Sequence, residues 1–378
     1  MITIIAITSI IVYLILIGGL VYGFDKVETF KLQDLEAKNS FSVIIPFRNE
    51  IENLPKLLRS ILSLKYPQNR FEIILVDDDS TDGSAQLIQD IINETGAKGK
   101  NIRVIKNQRT SNSPKKDAIN SGITVSKNEW IVTTDADCIL HKYWLDAFDE
   151  IIQNEAPNCI VAPVTYHQNN SFFSRFQTLD FLSLQAATIG GFGLNKPFLC
   201  NGANFAYRKE IFLRLKGFKG NSEIASGDDI FLLEKFKGLD KDKVVYLKSD
   251  KAIVRTLPVT NFGELIEQRL RWASKTSRNP NGFSKLVGVI VLLGNTVFLA
   301  LPFLLWFNAL NGRVALSLLV IKLAIDLLLL FKVVRFFGQE NVLLSFISSS
   351  LLYPFFSVYI VLLSFFKSYR WKGREFRK

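Results

Sequence analysis

Carboxylates gather at four places along this 378-residue chain. Glu50 ends SVIIPFRNE, Asp77 and Asp78 stand in ILVDDDSTDGS, Asp135 and Asp137 in TTDADC, and Asp228 and Asp229 in ASGDDIFLLEKF. Close carboxylates repel one another, so folding alone gives no reason to cluster them. A bound cation or a proton transfer does. Asp135 and Asp137, one residue apart at a strand end, would point to the same side if the chain stays extended. Two such hard oxygen donors suit Mg²⁺ or Mn²⁺, which combines few carboxylates with water and substrate phosphates; a solvated turn is the plain alternative. Asp228 and Asp229 precede an amphipathic helix, where one carboxylate can cap and the other can act as a general base. Capping by both is the alternative there. Ser80 or Asp82 would cap the helix after ILVDDD, which leaves Asp77 and Asp78 to accept hydrogen bonds from a base or ribose. Arg48, Asn49 and Glu50 follow Pro46, which has no N–H for a central ladder and so belongs at its strand's end. In EQRLRWAS, Gln268, Arg271 and Trp272 share a short helix. The arginine could clamp a diphosphate through two parallel hydrogen bonds, and the tryptophan could stack on a sugar ring; a charged interfacial helix face is the bland reading.

These residues need a scaffold that brings strand ends together. FSVIIPF, FEIILVDDD, NIRVIKN and EWIVTTDAD read as buried strands, and ENLPKLLRSILSL, SAQLIQDIINET and KDAINSGITVS between them carry helical periodicity. Alternation of this kind predicts a mostly parallel sheet flanked by helices, with right-handed crossovers and the ligand at the carboxyl ends of the strands. Every acidic cluster falls at such an end.

The flanks are of another character. Residues 2–24 hold no charge, enough to cross a hydrocarbon core of about 30 Å; the basic start and cleavage site of a signal peptide are not evident. Three more apolar segments follow, near 286–307, 313–334 and 343–366. Lys322 and Asp326 in the middle one are four residues apart, share a helix face and are expected to neutralise each other. The organisation expected is an anchor at 1–25, an α/β domain at 40–282 and a membrane region at 283–378. Four spans would put the basic tail KSYRWKGREFRK on the opposite side from the basic central domain, against the preference of Lys and Arg for the cytoplasm. One segment should therefore be interfacial or re-entrant, with 343–366 the suspect. The stretch 172–192, before the next motif, reads as amphipathic and suited to a membrane surface.

A net charge of +11 favours anionic partners, here phosphates, nucleotides or acidic lipid. The abundance of Phe (31) fits lipid contact. Cys138, Cys159 and Cys200 show no paired or metal spacing, so reduced thiols are expected. His141 and His167 form no ligand pair.

Taken in order, the motifs resemble those of the inverting family 2 glycosyltransferases of GT-A fold. The likeness is greatest to the membrane-bound branch with the hyaluronan, chitin and poly-N-acetylglucosamine synthases and ceramide glucosyltransferases. It covers about residues 40–275. LVDDDSTDGS is similar to VDDGSTDGT, with Asp79 for the usual glycine, and PKKDAINSGI to GKxxALNxG, with Pro114 for glycine and with Lys115 and Asn120 matching. TTDADC matches the DxD motif, CNGANFAYRKEIF resembles GxNxA, GDD matches the ED or DD pair, and QRLRW matches QxxRW. The resemblance implies a nucleotide-diphosphate sugar, probed first as a UDP-sugar, bound by Pro46, Arg48, Glu50, Asp77, Asp78, Lys115 and Asp135. It implies a divalent metal on Asp137 and Asp135, and an acceptor and diphosphate side at Asn201, Gly202, Asn204, Gln268, Arg271 and Trp272. Asp229, beside Asp228, would be the base. The acceptor implied is a lipid or glycan hydroxyl at the cytoplasmic face of the cell (inner) membrane; no nucleic acid is expected. A processive polysaccharide synthase, helped by a partner subunit, is the competing enzyme, and a transporter or non-catalytic scaffold the competing class.

Overall fold

The computed structural model describes all residues except 97–100, 168–169, 222–226, 279 and 377–378. Helix α1 (Ile2–Lys26) opens the chain. Strands and helices then alternate as β1 (Phe41–Phe47), α2 (Leu54–Leu62), β2 (Phe71–Asp77), α3 (Ser84–Thr95), β3 (Ile102–Lys106), α4 (Pro114–Val125) and β4 (Trp130–Thr133). Next come α5 (Trp144–Glu155), β5 (Cys159–Val161), β6 (Val164–Tyr166), α6 (Phe172–Gly193), β7 (Phe205–Arg208), α7 (Lys209–Arg214) and α8 (Asp228–Leu239). The remainder is β8 (Val244–Tyr246), β9 (Val254–Thr256), α9 (Phe262–Arg278), α10 (Gly282–Trp306), α11 (Gly312–Phe337), α12 (Phe346–Phe366) and a hairpin of β10 (Tyr369–Trp371) and β11 (Arg374–Phe376).

These elements form two compact units, one of residues 28–167 and 200–257, the other of 1–27, 168–199 and 258–378. In the first, seven strands run in the order β3-β2-β1-β4-β7-β5-β8. The sequence expectation of a mostly parallel sheet holds: β3, β2, β1 and β4 are mutually parallel, β5 is parallel to β8, and β7 runs against both its neighbours. The inner strands are apolar on both faces because helices cover both sides; in β1, Val43, Ile44 and Ile45 are fully buried. The chain steps from β1 to β2 and β3, then returns across β1 to β4. That reversal opens a crevice at the carboxyl ends of β1 and β4, where such folds place ligands. Strand β4 pairs with β1 only as far as Ile44, whereas β2 continues alongside to Asp77. Pro46 thus lies beyond the reach of β4, where its missing N–H costs no bond on that side.

Among the described residues, the second unit holds four helices long and apolar enough to cross a membrane: α1, α10, α11 and the run from Glu340 through α12. The segments expected at 286–307, 313–334 and 343–366 correspond to α10, α11 and α12. Helix α6 packs along α1, and α6 and α9 cluster with the apolar helices rather than with the sheet. At the α1–α6 contact, a methyl added at Gly23 would strike the Gly190 carbonyl, and one at Gly190 the Leu20 carbonyl. Only glycine lets the two backbones come so close, as at small-residue crossings in membranes. Lys322 Nζ donates to Asp326 Oδ2 at 2.8 Å, forming the pair that their spacing predicts. Helix α12 starts where α11 ends, while the β10 strand that follows it packs on α9, the helix leading into α10. Helix α12 packs against α10, α9 and α6.

Candidate active site

Three carboxylates and one lysine meet at the crevice. Asp135 follows β4, Asp228 and Asp229 form the first turn of α8, and Lys115 sits in the first turn of α4. Each position has a local cause. Pro114 sets the start of α4, since its fixed φ suits the first helical turn and that turn needs no N–H. Gly227, with φ +84°, turns the chain into α8 and so presents two acidic side chains at the positive end of the helix dipole. Thr133 Oγ1 donates to the Gly202 carbonyl at 2.8 Å, tying the end of β4 to the 202–204 turn.

Lys115 Nζ lies 2.7 Å from Asp135 Oδ1 and 3.5 Å from Asp228 Oδ2. Burial by itself would lower the lysine pKa, but Asp135 and Asp228 outweigh it and hold the ammonium pKa well above its ordinary value. Lys115 is therefore the cation among these acids. The Gly202 N–H donates to Asp229 Oδ2 at 3.2 Å, and Asp229 Oδ1 accepts from the Ile230 N–H at 2.8 Å. A methyl at Gly202 would come within 2.9 Å of Asp228 Oδ2 and 3.6 Å of Lys115 Nζ, so glycine keeps this point open.

Asp135 and Asp137 are not on an extended strand. The Cys138 N–H bonds back to the Asp135 carbonyl at 3.2 Å, closing a turn just after β4. The expectation that strand alternation aims both carboxylates is corrected: β4 stops at Thr133 and a turn sets their directions. Asp137 Oδ2 accepts from Thr256 Oγ1 at 2.9 Å, and both aspartates remain half-buried. Among the described residues no group of three or more His, Cys, Asp or Glu forms a metal cage. The donor set still fits a small divalent ion, which takes one or two carboxylates with the rest from water and phosphate.

On the other side of the crevice, Asp78 is gripped by Arg109 through Nε at 2.9 Å and Nη2 at 3.1 Å, and by Asn107 Nδ2 at 2.7 Å. Neither partner was identified from sequence. The signal available was the polar run KNQRT directly after β3, facing an Asp-rich turn. Asp77 Oδ1 accepts from the Ser80 N–H at 2.9 Å, so it shapes its own turn. Asp79 has φ +66°, the left-handed conformation that its place at a usual glycine position implies. Arg48 Nη1 donates to the carbonyls of Asp78 and Asp79 at 2.6 and 2.8 Å; it braces this loop. Glu50 accepts from Asn53 at the start of α2.

Of the acceptor residues, Gly202 is at the site and Asn201 caps the 202–204 turn through the Ala203 N–H. Asn204 is a correction. It is fully buried, donates to the carbonyls of Pro163 and Ala252 at 2.8 and 2.7 Å, and accepts from Trp144 Nε1 at 3.0 Å. With its side-chain groups so engaged it holds structure and cannot touch an acceptor. Gln268, Arg271 and Trp272 belong to the membrane unit, on the 17-residue α9. There the Arg269 guanidinium lies 4.1 Å from the centre of the Trp272 ring, whose other neighbour is Phe181. Ala225 and Ser226 of the ASGDD stretch lie outside the described residues. Cys138 and Cys159 are buried free thiols, and Cys200 is a half-buried one.

The family model for glycosyl transferase family 2 matches residues 42–215, and that for glycosyl transferase family group 2 matches residues 130–366. The chain belongs to glycosyltransferase family 2. It is therefore a glycosyltransferase, an enzyme that works on nucleotide sugars. Glycosyltransferase AglE of Haloferax volcanii is 24% identical over 61% of this chain and 70% of its own length. The poly-beta-1,6-N-acetyl-D-glucosamine synthase of Staphylococcus epidermidis is 26% identical over 68% of this chain and 61% of its own. The mannosyltransferase PcManGT from Pyrobaculum calidifontis, solved with GDP-Man and Mn²⁺, overlays on 93% of this chain and 99% of its own. Its TM-score is 0.57 at 18% identity, a likeness of fold.

Proposed function

We propose that this family 2 enzyme transfers one sugar, with inversion, from a nucleotide-diphosphate sugar to a hydroxyl of a lipid or lipid-linked acceptor at the cytoplasmic face of the membrane. The observation that carries the reading is the Lys115 bridge, which joins the donor-side Asp135 to the Asp228–Asp229 pair in one site. Asp78, set by Arg109 and Asn107, receives the base or ribose. Asp229 takes the proton of the acceptor hydroxyl as that oxygen attacks C1 opposite the leaving diphosphate; a single inversion needs no enzyme nucleophile. A bound Mg²⁺ or Mn²⁺ on Asp137 and Asp135 supplies charge neutralisation at the diphosphate. Arg271 is assigned to the leaving phosphates.

The lipid acceptor is supported by the four long apolar helices and by relatives such as an undecaprenyl-phosphate 4-deoxy-4-formamido-L-arabinose transferase, 36% identical over 28% of this chain and 31% of its own length. UDP is the nucleotide we assign. A second reading, processive polysaccharide synthesis, draws on the poly-N-acetylglucosamine synthase relative and on QRLRW. A panel of nucleotide sugars in membranes, with and without divalent ion, tests the reading. Turnover of a UDP-sugar to a low-mass lipid product supports it; a high-mass polymer on gel filtration supports synthesis instead.

A further inference from the structure

The membrane unit contains charge where lipid would otherwise be the solvent. Residues of α6, α11 and α12 line a small, partly open cavity of about 60 Å³. Its polar wall includes Asp180, Ser183, Lys322, Asp326, Ser349, Ser350 and Tyr353, and its apolar wall Phe176, Leu179 and Leu330. Ionisable side chains at such depth cost roughly 2.5–3.5 kcal/mol each and as a rule line functional sites.

The charges of this wall are already balanced. Asp326 accepts from Lys322 Nζ at 2.8 Å and from the Tyr13 hydroxyl at 2.6 Å. The lysine also lies 4.8 Å from the centre of the Tyr13 ring. Asp180 is held by Arg269 Nε at 2.6 Å. One group is left over: Ser349 is 4% exposed, lines the cavity, and its Oγ has no hydrogen-bond partner in the protein. A buried hydroxyl left so costs about 1–3 kcal/mol. It calls for a polar group from outside the protein.

We infer that the cavity between α6, α11 and α12 is a lipid-binding site that takes an uncharged, hydroxyl-bearing head group of a membrane lipid. A cavity of about 60 Å³ is small and suits a hydroxymethyl tip. A hydroxyl can donate to the carboxylates or Ser349 and accept from Ser350 or Tyr353. A phosphate would face two carboxylates whose cations are already engaged. Phe176, Leu179 and Leu330 offer apolar contact to the first carbons of the chain. The site goes beyond the proposed transfer, because it concerns lipid binding whether or not that lipid is the acceptor.

The test uses the full chain in phosphatidylcholine nanodiscs with diazirine-bearing diacylglycerol or phosphatidic acid, photolysed and mapped by mass spectrometry. The diacylglycerol probe should label segments 176–183, 322–330 or 349–353 and be competed by unlabelled dioleoylglycerol. Labelling should fall at least fivefold in Ser350→Phe, which fills the cavity, and about threefold in Ser349→Ala, which removes only the orphan hydroxyl and keeps the test valid if the first variant misfolds. Equal labelling by phosphatidic acid overturns the assignment of an uncharged head. No labelling, no competition, or labelling unchanged in Ser349→Ala means the cavity holds only water, and overturns the site itself.

Discussion

Lys115 Nζ stands 2.7 Å from Asp135 Oδ1 and 3.5 Å from Asp228 Oδ2, so one ammonium links a turn after β4 to the first turn of α8. Replacing it with an isosteric neutral side chain leaves three carboxylates without their local counter-charge. Lys115→Met is expected to lower kcat/KM by about 10²–10³-fold, as for loss of a preorganised charge at a reacting site. Steady-state transfer assays, with donor binding measured separately, check this. Lys115→Arg should recover part of the rate, because it returns the charge with a different reach.

Gly202→Ala tests the tightness of the same place. The new methyl would sit 2.9 Å from Asp228 Oδ2, and the carboxylate must move, taking Lys115 with it. A fall in kcat of at least about tenfold is expected, since small misplacements at a reacting centre are costly. Thermal unfolding measured alongside separates this local displacement from a loss of fold.

Asn204→Ala is expected to do the reverse. It leaves the Pro163 and Ala252 carbonyls and Trp144 Nε1 buried without their partner. Stability should drop by about 2–4 kcal/mol, a shift on the order of 5–10 °C in the melting temperature. Differential scanning fluorimetry reads it, and the protein that remains folded should keep its donor KM.

Whether segment 343–366 crosses the membrane decides where the tail lies. If the preference of Lys and Arg for the cytoplasm places both Lys26 and the basic tail there, Lys372→Cys in a Cys200→Ser background should react with a membrane-impermeant maleimide in inverted vesicles and not in intact cells. Cys138 and Cys159 are buried and give little background. Labelling in intact cells would mean that α12 spans the membrane.

The sheet was legible because β1 to β4 are apolar runs separated by helical periodicity, and the acids at 50, 77–78 and 135–137 follow strand ends, whereas Asp228 and Asp229 open α8. The left-handed turn at Asp79 was legible from the glycine its motif leads one to expect. The aim of Asp135 and Asp137 was not, because a strand pattern does not reveal where pairing stops; β4 ends at Thr133 and a turn takes over. Asn204 was misread because a motif residue that builds a site and one that touches a ligand look alike in sequence. The Arg109–Asp78 pair joins two loops 31 residues apart, a contact that no local spacing encodes. The stretch 172–192 was read from sequence as suited to a membrane surface, but the membership of α9 in the same unit follows from the Asp180–Arg269 pair, which no periodicity encodes.

The measurement closest to the centre of the account is transfer by Asp229→Asn, with donor binding followed in the same preparation. The amide keeps the shape and its one oxygen can still accept from the Gly202 or the Ile230 N–H, but it cannot take a proton. Donor affinity should remain within about twofold, while transfer falls by about 10²–10⁴-fold, the usual contribution of a general base. Full transfer by this variant would contradict the assignment of Asp229 and the mechanism built on it.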